Sequence, residues 1–230
     1  MTDGILVAAH ELKAPLCLLR QLALSLPEAE RFGSRAHLES QIVEVSERAL
    51  RQVEDLTKIS RLADSHFTME PVGVRGVCES VVRELTPLFT QADRRLSQHY
   101  ANRSRLAIAN RDLLYSIIYN FCANALHYAG DNTPSELRVL DRQNYIQIRV
   151  RDFGPALPTK IWREFQHGGL SQPTSIAMRP GSSGLGLYIV TQFAHHMRAE
   201  LGAIRHRDGT SFFVNLPVSH QASLFSRKEL

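Results

Sequence analysis

Residues 112–128, DLLYSIIYNFCANALHY, contain the pattern that decides the fold of the second half of this 230-residue chain. The apolar residues of this stretch recur at the spacing of one helical face, which predicts an amphipathic helix from Asp112 to Tyr128. They are Leu113, Leu114, Ile117, Ile118 and Phe121. Asn120, Asn124 and His127 follow the same spacing and form a polar stripe along that helix.

The two asparagines of this stripe allow two interpretations. An amide oxygen suits a hard cation such as Mg²⁺, which bridges to phosphate oxygens, so Asn120 and Asn124 could hold a nucleotide–metal complex. A pair of hydrogen-bonded asparagines without a ligand fits the pattern equally well. His127 is compatible with either interpretation.

Strand patterns flank this helix and predict a mixed sheet with helices packed on one face. Apolar and polar residues alternate over 146–151 and 212–216, which is typical of half-buried strands. Residues 106–109 and 137–140 are shorter strand candidates, and residues 186–198 are predicted to form a further helix.

Two loops of this region carry possible ligand-binding groups. Asp152 ends a strand before Phe153-Gly154-Pro155, where its carboxylate could accept a hydrogen bond from an exocyclic amine such as that of adenine. An ordinary turn is the alternative. Residues 181–187, GSSGLGL, lead directly into the helix predicted at residue 186, and the free N–H groups at a helix start favour phosphate. This loop matches neither the dinucleotide fingerprint nor the Walker pattern. Residues 166–179 have the composition of a lid over a ligand, or of a surface loop.

The N-terminal part of the chain predicts a helical hairpin. Apolar residues alternate steps of four and three at Ile5, Ala9, Leu12, Leu16, Leu19, Ala23 and Leu26. A break is predicted from Pro27 through Gly33, and the stepping resumes from Leu38 to Ala63. Because two narrow stripes enclose little core, we expect a second copy of the chain to complete a dimeric four-helix bundle.

His10 lies beside the first stripe, so its imidazole is expected to project into solvent, where it could act as a nucleophile. Glu11 could fix the tautomer of His10 and accept the proton that His10 releases. Pro15 is expected to bend the helix beside His10. An exposed histidine without a chemical role is the alternative, and a lone histidine favours it.

Composition excludes several other classes of protein. The formal charge of +4 is scattered along the chain, so the pI of about 9.1 is weak support for nucleic-acid binding. No apolar run is long enough to span a membrane, and the N-terminus does not resemble a signal peptide. The three cysteines are far apart and form no CxxC pair. A cytoplasmic protein is expected.

Taken in order, the motifs resemble those of sensor histidine kinases of two-component systems. Residues 10–16, HELKAPL, are similar to the H box, and residues 120–125, NFCANA, are similar to the N box. Residues 152–155 and 181–187 are similar to the two glycine boxes, and residues 162–165 to the F box. Several motifs in the family's order are far more specific than any one of them.

The resemblance implies an α+β fold of three parts. Residues 1–66 would form the dimerisation and phosphotransfer hairpin, residues 67–218 a Bergerat-type α/β sandwich that binds ATP, and residues 219–230 a tail. It implies that His10 receives the γ-phosphoryl group with help from Glu11, and that Asn124 ligates Mg²⁺. The remaining nucleotide contacts would come from Asn120, His127, Tyr128, Asp152, Gly154, Gly184, Leu185, Gly186 and Leu187. The expected partners are a second copy and the receiver domain of a response regulator, to whose aspartate the phosphoryl group passes.

Departures from the family pattern add three expectations. Ala14 stands where kinases that are also phosphatases usually carry Thr or Asn, which predicts weak phosphatase activity. Ala156, Ser182 and His127 replace usual residues near the nucleotide, so nucleotide affinity could be altered. No sensor region or membrane span precedes His10 in this sequence, so the input is expected from a separate sensor protein, an additional segment or the ATP domain.

Rival functions remain at this stage. A histidine phosphotransfer adaptor with a degenerate ATP domain would use His10 without ATP, but it would have no need for the asparagines and glycines of the nucleotide boxes. An ATPase clamp or a serine kinase of the same superfamily would not need His10, Glu11 and Pro15. The sequence does not specify the signal, the cognate regulator, or phosphorylation in cis or in trans.

Overall fold

The computed structural model describes residues 12–31, 35–62, 67–101, 105–128, 133–172 and 185–219. His10, Glu11 and Gly184, which the sequence singles out, lie outside these ranges. Clustering of contacts divides the chain into two units, of which the first comprises residues 1–63 and 172–189 and the second residues 64–171 and 190–230.

The first unit contains the predicted hairpin. Helix α1 spans Lys13–Arg31 and helix α2 spans Arg35–Ser60, and the two pack against each other. The break predicted from Pro27 through Gly33 begins too early, because α1 continues through Pro27 to Arg31. A proline inside a helix removes one backbone hydrogen bond, and the helix tolerates that loss here.

The apolar stripes of the hairpin are covered unevenly. In α2 the predicted stripe is at least partly covered along its length, and Ala49 and Leu56 are buried. In α1 Leu12, Leu19 and Leu26 are partly covered, whereas Leu16 is 59% exposed. Both helices also expose apolar side chains outside these stripes, namely Leu18, Leu24, Val43, Leu50 and Val53.

The second unit is built on a mixed five-stranded sheet in the order β2-β4-β5-β7-β6. Its strands are β2 (Leu96–Tyr100), β4 (Ser135–Asp141), β5 (Tyr145–Asp152), β6 (Glu200–His206) and β7 (Gly209–Pro217). Only the β2–β4 pair is parallel. The alternations at residues 137–140, 146–151 and 212–216 are therefore confirmed as strands, whereas the sequence analysis missed β2 and β6.

The predicted strand at residues 106–109 belongs elsewhere. Residues Ala107–Ala109 form β3, which pairs with β1 (Glu70–Val72) in a separate two-stranded sheet. Three residues with one partner strand give too short an alternation to indicate which sheet they join.

Helices cover one face of the five-stranded sheet, as predicted. They are α3 (Val74–Gln91), α4 (Arg111–Tyr128) and α5 (Thr159–Gln166). The ring of Phe212 on β7 stacks on Phe121 of α4 at 5.6 Å and meets Phe165 of α5 edge-on at 5.3 Å. All three rings are almost fully buried, so they form the centre of this core.

Helix α6 spans Leu185–His196, one residue earlier at its start and two residues shorter at its end than predicted. The chain that leads away from α5 is fastened to the part of α6 in the same unit. Leu170 donates its backbone N–H to Thr191 Oγ1 at 3.0 Å, and His195 Nε2 lies 2.8 Å from the carbonyl oxygen of Gly168. None of the described helices is long and apolar enough to cross a membrane.

Candidate nucleotide site

Helix α4 presents the predicted polar stripe beside the core. Asn120 and Asn124 are partly covered one turn apart, while Ile117 and Phe121 on the core side are fully buried. The amide nitrogen of Asn120 donates to the carbonyl oxygen of Ser116 at 2.9 Å. This bond helps to fix the direction of its amide oxygen.

His127 and Tyr128, the last two predicted contacts on α4, differ in their exposure to solvent. His127 is exposed, whereas Tyr128 is 9% exposed. Their rings lie edge-on with centroids 6.4 Å apart. Tyr128 therefore contributes to the core, and His127 is the one of the two that solvent reaches freely.

Asp152 ends β5 with a buried carboxylate, only 2% exposed. Its Oδ1 accepts two backbone N–H bonds, from Gly154 at 3.1 Å and from Thr210 of β7 at 3.2 Å. Thr210 in turn accepts a hydrogen bond from Leu157 N at 3.3 Å through its own hydroxyl. An ionised carboxylate can accept about four hydrogen bonds, so this arrangement fixes Asp152 and is compatible with further donors.

Gly209 explains why β5 and β7 approach so closely beside Asp152. A Cβ at Gly209 would lie 2.0 Å from the carbonyl oxygen of Asp152, and the φ angle of Gly209 is +146°. Only glycine allows this approach. The sequence analysis missed Gly209 and Thr210, because neither lies in a recognisable motif.

The described part of the second glycine box lies at the start of α6. Leu185 and Leu187 are buried and Gly186 is partly covered. These residues belong to the first unit, whereas the second unit contains the predicted contacts Asn120, Asn124, His127, Tyr128, Asp152 and Gly154.

Comparison with known proteins identifies a family and several relatives that are similar to this chain. Residues 109–220 match the family described as histidine kinase-, DNA gyrase B-, and HSP90-like ATPase. Over 217 residues, 92% of this chain, the sequence is 27% identical to the probable sensor histidine kinase TcrY of Mycobacterium tuberculosis. It is also 27% identical over 213 residues to the sensor protein kinase PmrB of Pseudomonas aeruginosa, covering 91% of this chain.

This chain is similar in sequence to sensor histidine kinases. The stretch that matches the ATPase family contains Asn120, Asn124 and Asp152, and this match supports ATP binding. The chain covers 44% of TcrY and 43% of PmrB, less than half the length of either relative.

A solved structure shows the same fold. The chain resembles histidine kinase ThkA, solved in complex with response regulator protein TrrA, with a TM-score of 0.64 and 14% identity. The alignment covers 92% of this chain and 60% of that chain. The predicted α+β fold, a helical N-terminal region followed by an α/β ATPase domain, is therefore confirmed.

Proposed function

We propose that this chain is the kinase core of a two-component histidine kinase, which transfers the γ-phosphoryl group of ATP to His10 and then to an aspartate of a response regulator. The observation that carries the proposal is the position of Asn120, Asn124 and the buried Asp152 within a match to an ATPase family. The homology to sensor histidine kinases over nine-tenths of the chain supports His10 as the acceptor.

Each group of the second unit has a distinct part in this proposal. The Asp152 carboxylate, held by the N–H groups of Gly154 and Thr210, accepts the exocyclic amine of adenine. Asn120 is assigned a place beside the phosphates, and His127, which is exposed at the end of α4, is assigned a contact with the same anionic groups. Gly154 lies in the turn beside the base, while Tyr128 supports the end of α4 from the core.

The donor chemistry of this stripe fits Mg²⁺. The amide oxygen of Asn124 is a hard ligand, and Mg²⁺ is usually bound through one or two protein oxygens together with substrate phosphates. When bound, the ion neutralises the phosphate charge. Gly184, Leu185, Gly186 and Leu187 are proposed to close the phosphate side with backbone N–H groups.

In the transfer step, a ring nitrogen of His10 forms a bond to the γ-phosphorus as the bond to the ADP oxygen breaks, and ADP leaves. Glu11 accepts the imidazole proton. Transfer of this kind depends mainly on positioning and charge neutralisation, which the ATP-binding residues supply.

The test is incubation of the purified chain with γ-labelled Mg-ATP, beside the variants His10→Gln and Asn124→Ala. We expect an acid-labile, alkali-stable label that both variants lose. His37→Gln is the matched control, because His37 is exposed on α2 and should keep the label. Label that persists in His10→Gln contradicts the proposal. Label that reaches His10 from a phosphorylated receiver domain but not from ATP indicates the adaptor instead.

The same proposal includes two further partners of the chain. The exposed apolar side chains of α1 and α2 support a homodimer through a four-helix bundle. The complex of ThkA with TrrA supports a response regulator as the acceptor of the phosphoryl group. Input from a separate sensor protein and a cytoplasmic location are proposed on the sequence alone.

The proposed domain boundaries follow the sequence, with the hairpin at residues 1–66, the ATP-binding domain at residues 67–218 and a tail from residue 219. Ala14, exposed in the first turn of α1, supports weak phosphatase activity because a methyl group cannot orient a water molecule. The chain should therefore not accelerate loss of phosphate from a phosphorylated receiver domain. Rapid dephosphorylation by the chain, equal to that by Ala14→Thr, would contradict this expectation.

A further inference from the structure

The face of the five-stranded sheet opposite the helices carries an unusual arrangement of arginines. Arg138 of β4 pairs directly across the strands with Arg149 of β5, and both side chains project from this outer face. Like charges directly opposite each other destabilise a sheet. Glu136, two residues before Arg138, lies opposite Arg151 in the same register.

The available carboxylates do not neutralise Arg149. Arg138 forms an ion pair with Glu136 at 2.7 Å, and Arg151 forms one with Asp208 at 2.8 Å. Within the described residues, Arg149 has no carboxylate partner and bonds instead to the neutral amide of Gln147 at 2.6 Å. Among the residues that the structure describes, the positive charge of Arg149 therefore has no counterion.

Two guanidinium donors are also left unused in a buried position. Arg149 Nε and Arg151 Nη1 are inaccessible to solvent and meet no hydrogen-bond acceptor among the described residues. A buried donor without a partner loses its hydrogen bonds to water without replacement, and this loss is larger when the donor is charged. Both guanidinium groups therefore have hydrogen-bonding capacity that the described residues do not use.

The side chains of both arginines line a cavity on the outer face of the sheet. It is lined by Glu136, Arg138, Arg149, Arg151, His206 and Ser211. The Nε2 of His206 lies 3.0 Å from the hydroxyl of Ser211, so two further polar groups converge there. All of these residues belong to the second unit, and none belongs to the proposed nucleotide site.

We propose that this cavity binds a tetrahedral oxyanion, the phosphoryl group of a small molecule or of a phosphorylated residue, between Arg149 and Arg151. Guanidinium groups match the geometry of phosphate oxygens, and bonds between ionised partners are about twice as strong as neutral ones. Ser211 donates its hydroxyl to a further oxygen. The bound anion also screens the repulsion between Arg138 and Arg149.

The electrostatics around the cavity agree with an anion. Burial, followed by the charges of Arg142 and Arg138, lowers the pKa of Arg149. Burial and the charge of Arg151 likewise lower the pKa of His206, with Arg149 adding to this effect and Asp208 and Asp152 opposing it. An anion in the cavity would raise both pKa values.

The test is a titration of the full chain with inorganic phosphate at constant pH, followed by the ring NMR signals of His206. These signals are identified among the ten histidines by their absence in His206→Gln. We expect saturable shifts that sodium chloride at equal ionic strength does not produce. Arg149→Gln should weaken the apparent affinity at least about tenfold, since a charge-assisted bond contributes about that much.

Two control variants make the outcome specific. Arg83→Gln removes an exposed arginine on α3, on the other side of the sheet, and should leave the phosphate response unchanged. Asn124→Ala should also retain the response. Equal responses in the original chain and in Arg149→Gln, shifts that chloride reproduces, or loss of the response in Asn124→Ala would overturn the proposal.

A second titration identifies the source of the anion. A blocked phosphoserine amide that shifts the His206 signals at lower concentration than inorganic phosphate indicates a phosphorylated residue. The reverse order indicates a free phosphate or a small phosphorylated molecule. Absence of an effect from both contradicts the site.

Discussion

Asp152 supplies the carboxylate of the proposed nucleotide site, and two backbone N–H groups fix one of its oxygens. Replacement by asparagine keeps an acceptor oxygen and the side-chain shape but removes the negative charge. We expect Asp152→Asn to weaken ADP binding about tenfold or more by calorimetry, since the loss of a charge-assisted bond costs at least about 1.5 kcal/mol.

Asp93→Asn is the matched control for this change. Asp93 is exposed and has a φ angle of +51°, a conformation that asparagine also tolerates. ADP affinity should be unchanged in this variant. Unaltered affinity in Asp152→Asn, with the fold intact by circular dichroism, would remove Asp152 from the nucleotide site.

Gly169 and Gly76 form a contrasting pair of glycines. A Cβ at Gly169 would lie 2.4 Å from Thr191 Oγ1, and its φ angle is +108°, whereas a Cβ at Gly76 in α3 meets nothing within 4 Å. We expect Gly169→Ala to lower the free energy of unfolding by about 2 kcal/mol or more. Gly76→Ala should raise it by about 0.5–1 kcal/mol.

Chemical denaturation of both variants measures this difference. Because Thr191 also accepts the hydrogen bond from Leu170 N, displacement of its side chain would break a buried contact. Equal stability of the two variants would show that the turn after α5 accommodates a side chain.

The ion pair between Arg105 and Asp141 joins the residues just before β3 to the end of β4. Arg105 Nε lies 3.0 Å from Asp141 Oδ1, and this guanidinium lowers the pKa of Asp141 below its ordinary value of 3.8. A lowered folded-state pKa stabilises the fold above the unfolded-state value, and the stabilisation disappears as the pH falls through the folded-state pKa.

Arg105→Gln should therefore reduce stability at pH 7, and its difference from the original chain should shrink as the pH falls below 3.8. Denaturation midpoints at pH 7 and near the acid limit of folding test this. Arg83→Gln, an exposed change without this partner, supplies the comparison. A difference that is constant with pH would assign the effect to packing of the Arg105 side chain.

The elements differ in how far the sequence predicts them. Helix α4 and strands β5 and β7 were predictable because each has a long apolar period that one buried face requires. Strand β2 was not predictable, because it lies at the edge of the sheet and none of its residues is fully buried. Its sequence, which begins Leu96-Ser97-Gln98-His99, therefore shows no alternation of apolar and polar residues. Strand β6 was also missed. It contains Gly202, which has no side chain to mark an alternation, and the ring of Phe213 from β7 occupies the space beside it.

The residues of the candidate site were inferred for a different reason. Asn120, Asn124 and Asp152 occupy motifs whose order is informative by itself, so no knowledge of packing was needed. Thr210, Gly209 and the arginines of the outer sheet face come together only through the pairing of β5 with β4 and β7. Register of this kind depends on partners distant in sequence.

The exposed apolar residues of the hairpin predict that the whole molecule self-associates. Leu16, Leu24 and Leu50 are 59%, 68% and 64% exposed in a single chain, which is costly for residues of this size. We expect sedimentation to show a dimer, which Leu16→Ser with Leu50→Ser should weaken at least about tenfold. Met69→Ser, a change at an exposed apolar residue outside the hairpin, should leave the dimer intact. A monomeric original chain would contradict the four-helix bundle.

The packing of α5 against β6 has a practical consequence for such experiments. Trp162 donates its indole N–H to the carbonyl oxygen of Ala203 at 2.9 Å, and it is the only tryptophan of the chain. The intrinsic fluorescence of Trp162 therefore reports on the second unit alone. Far-ultraviolet circular dichroism also includes the helices of the hairpin. Melting curves recorded by the two optical methods on one sample will coincide only if both units unfold in a single transition.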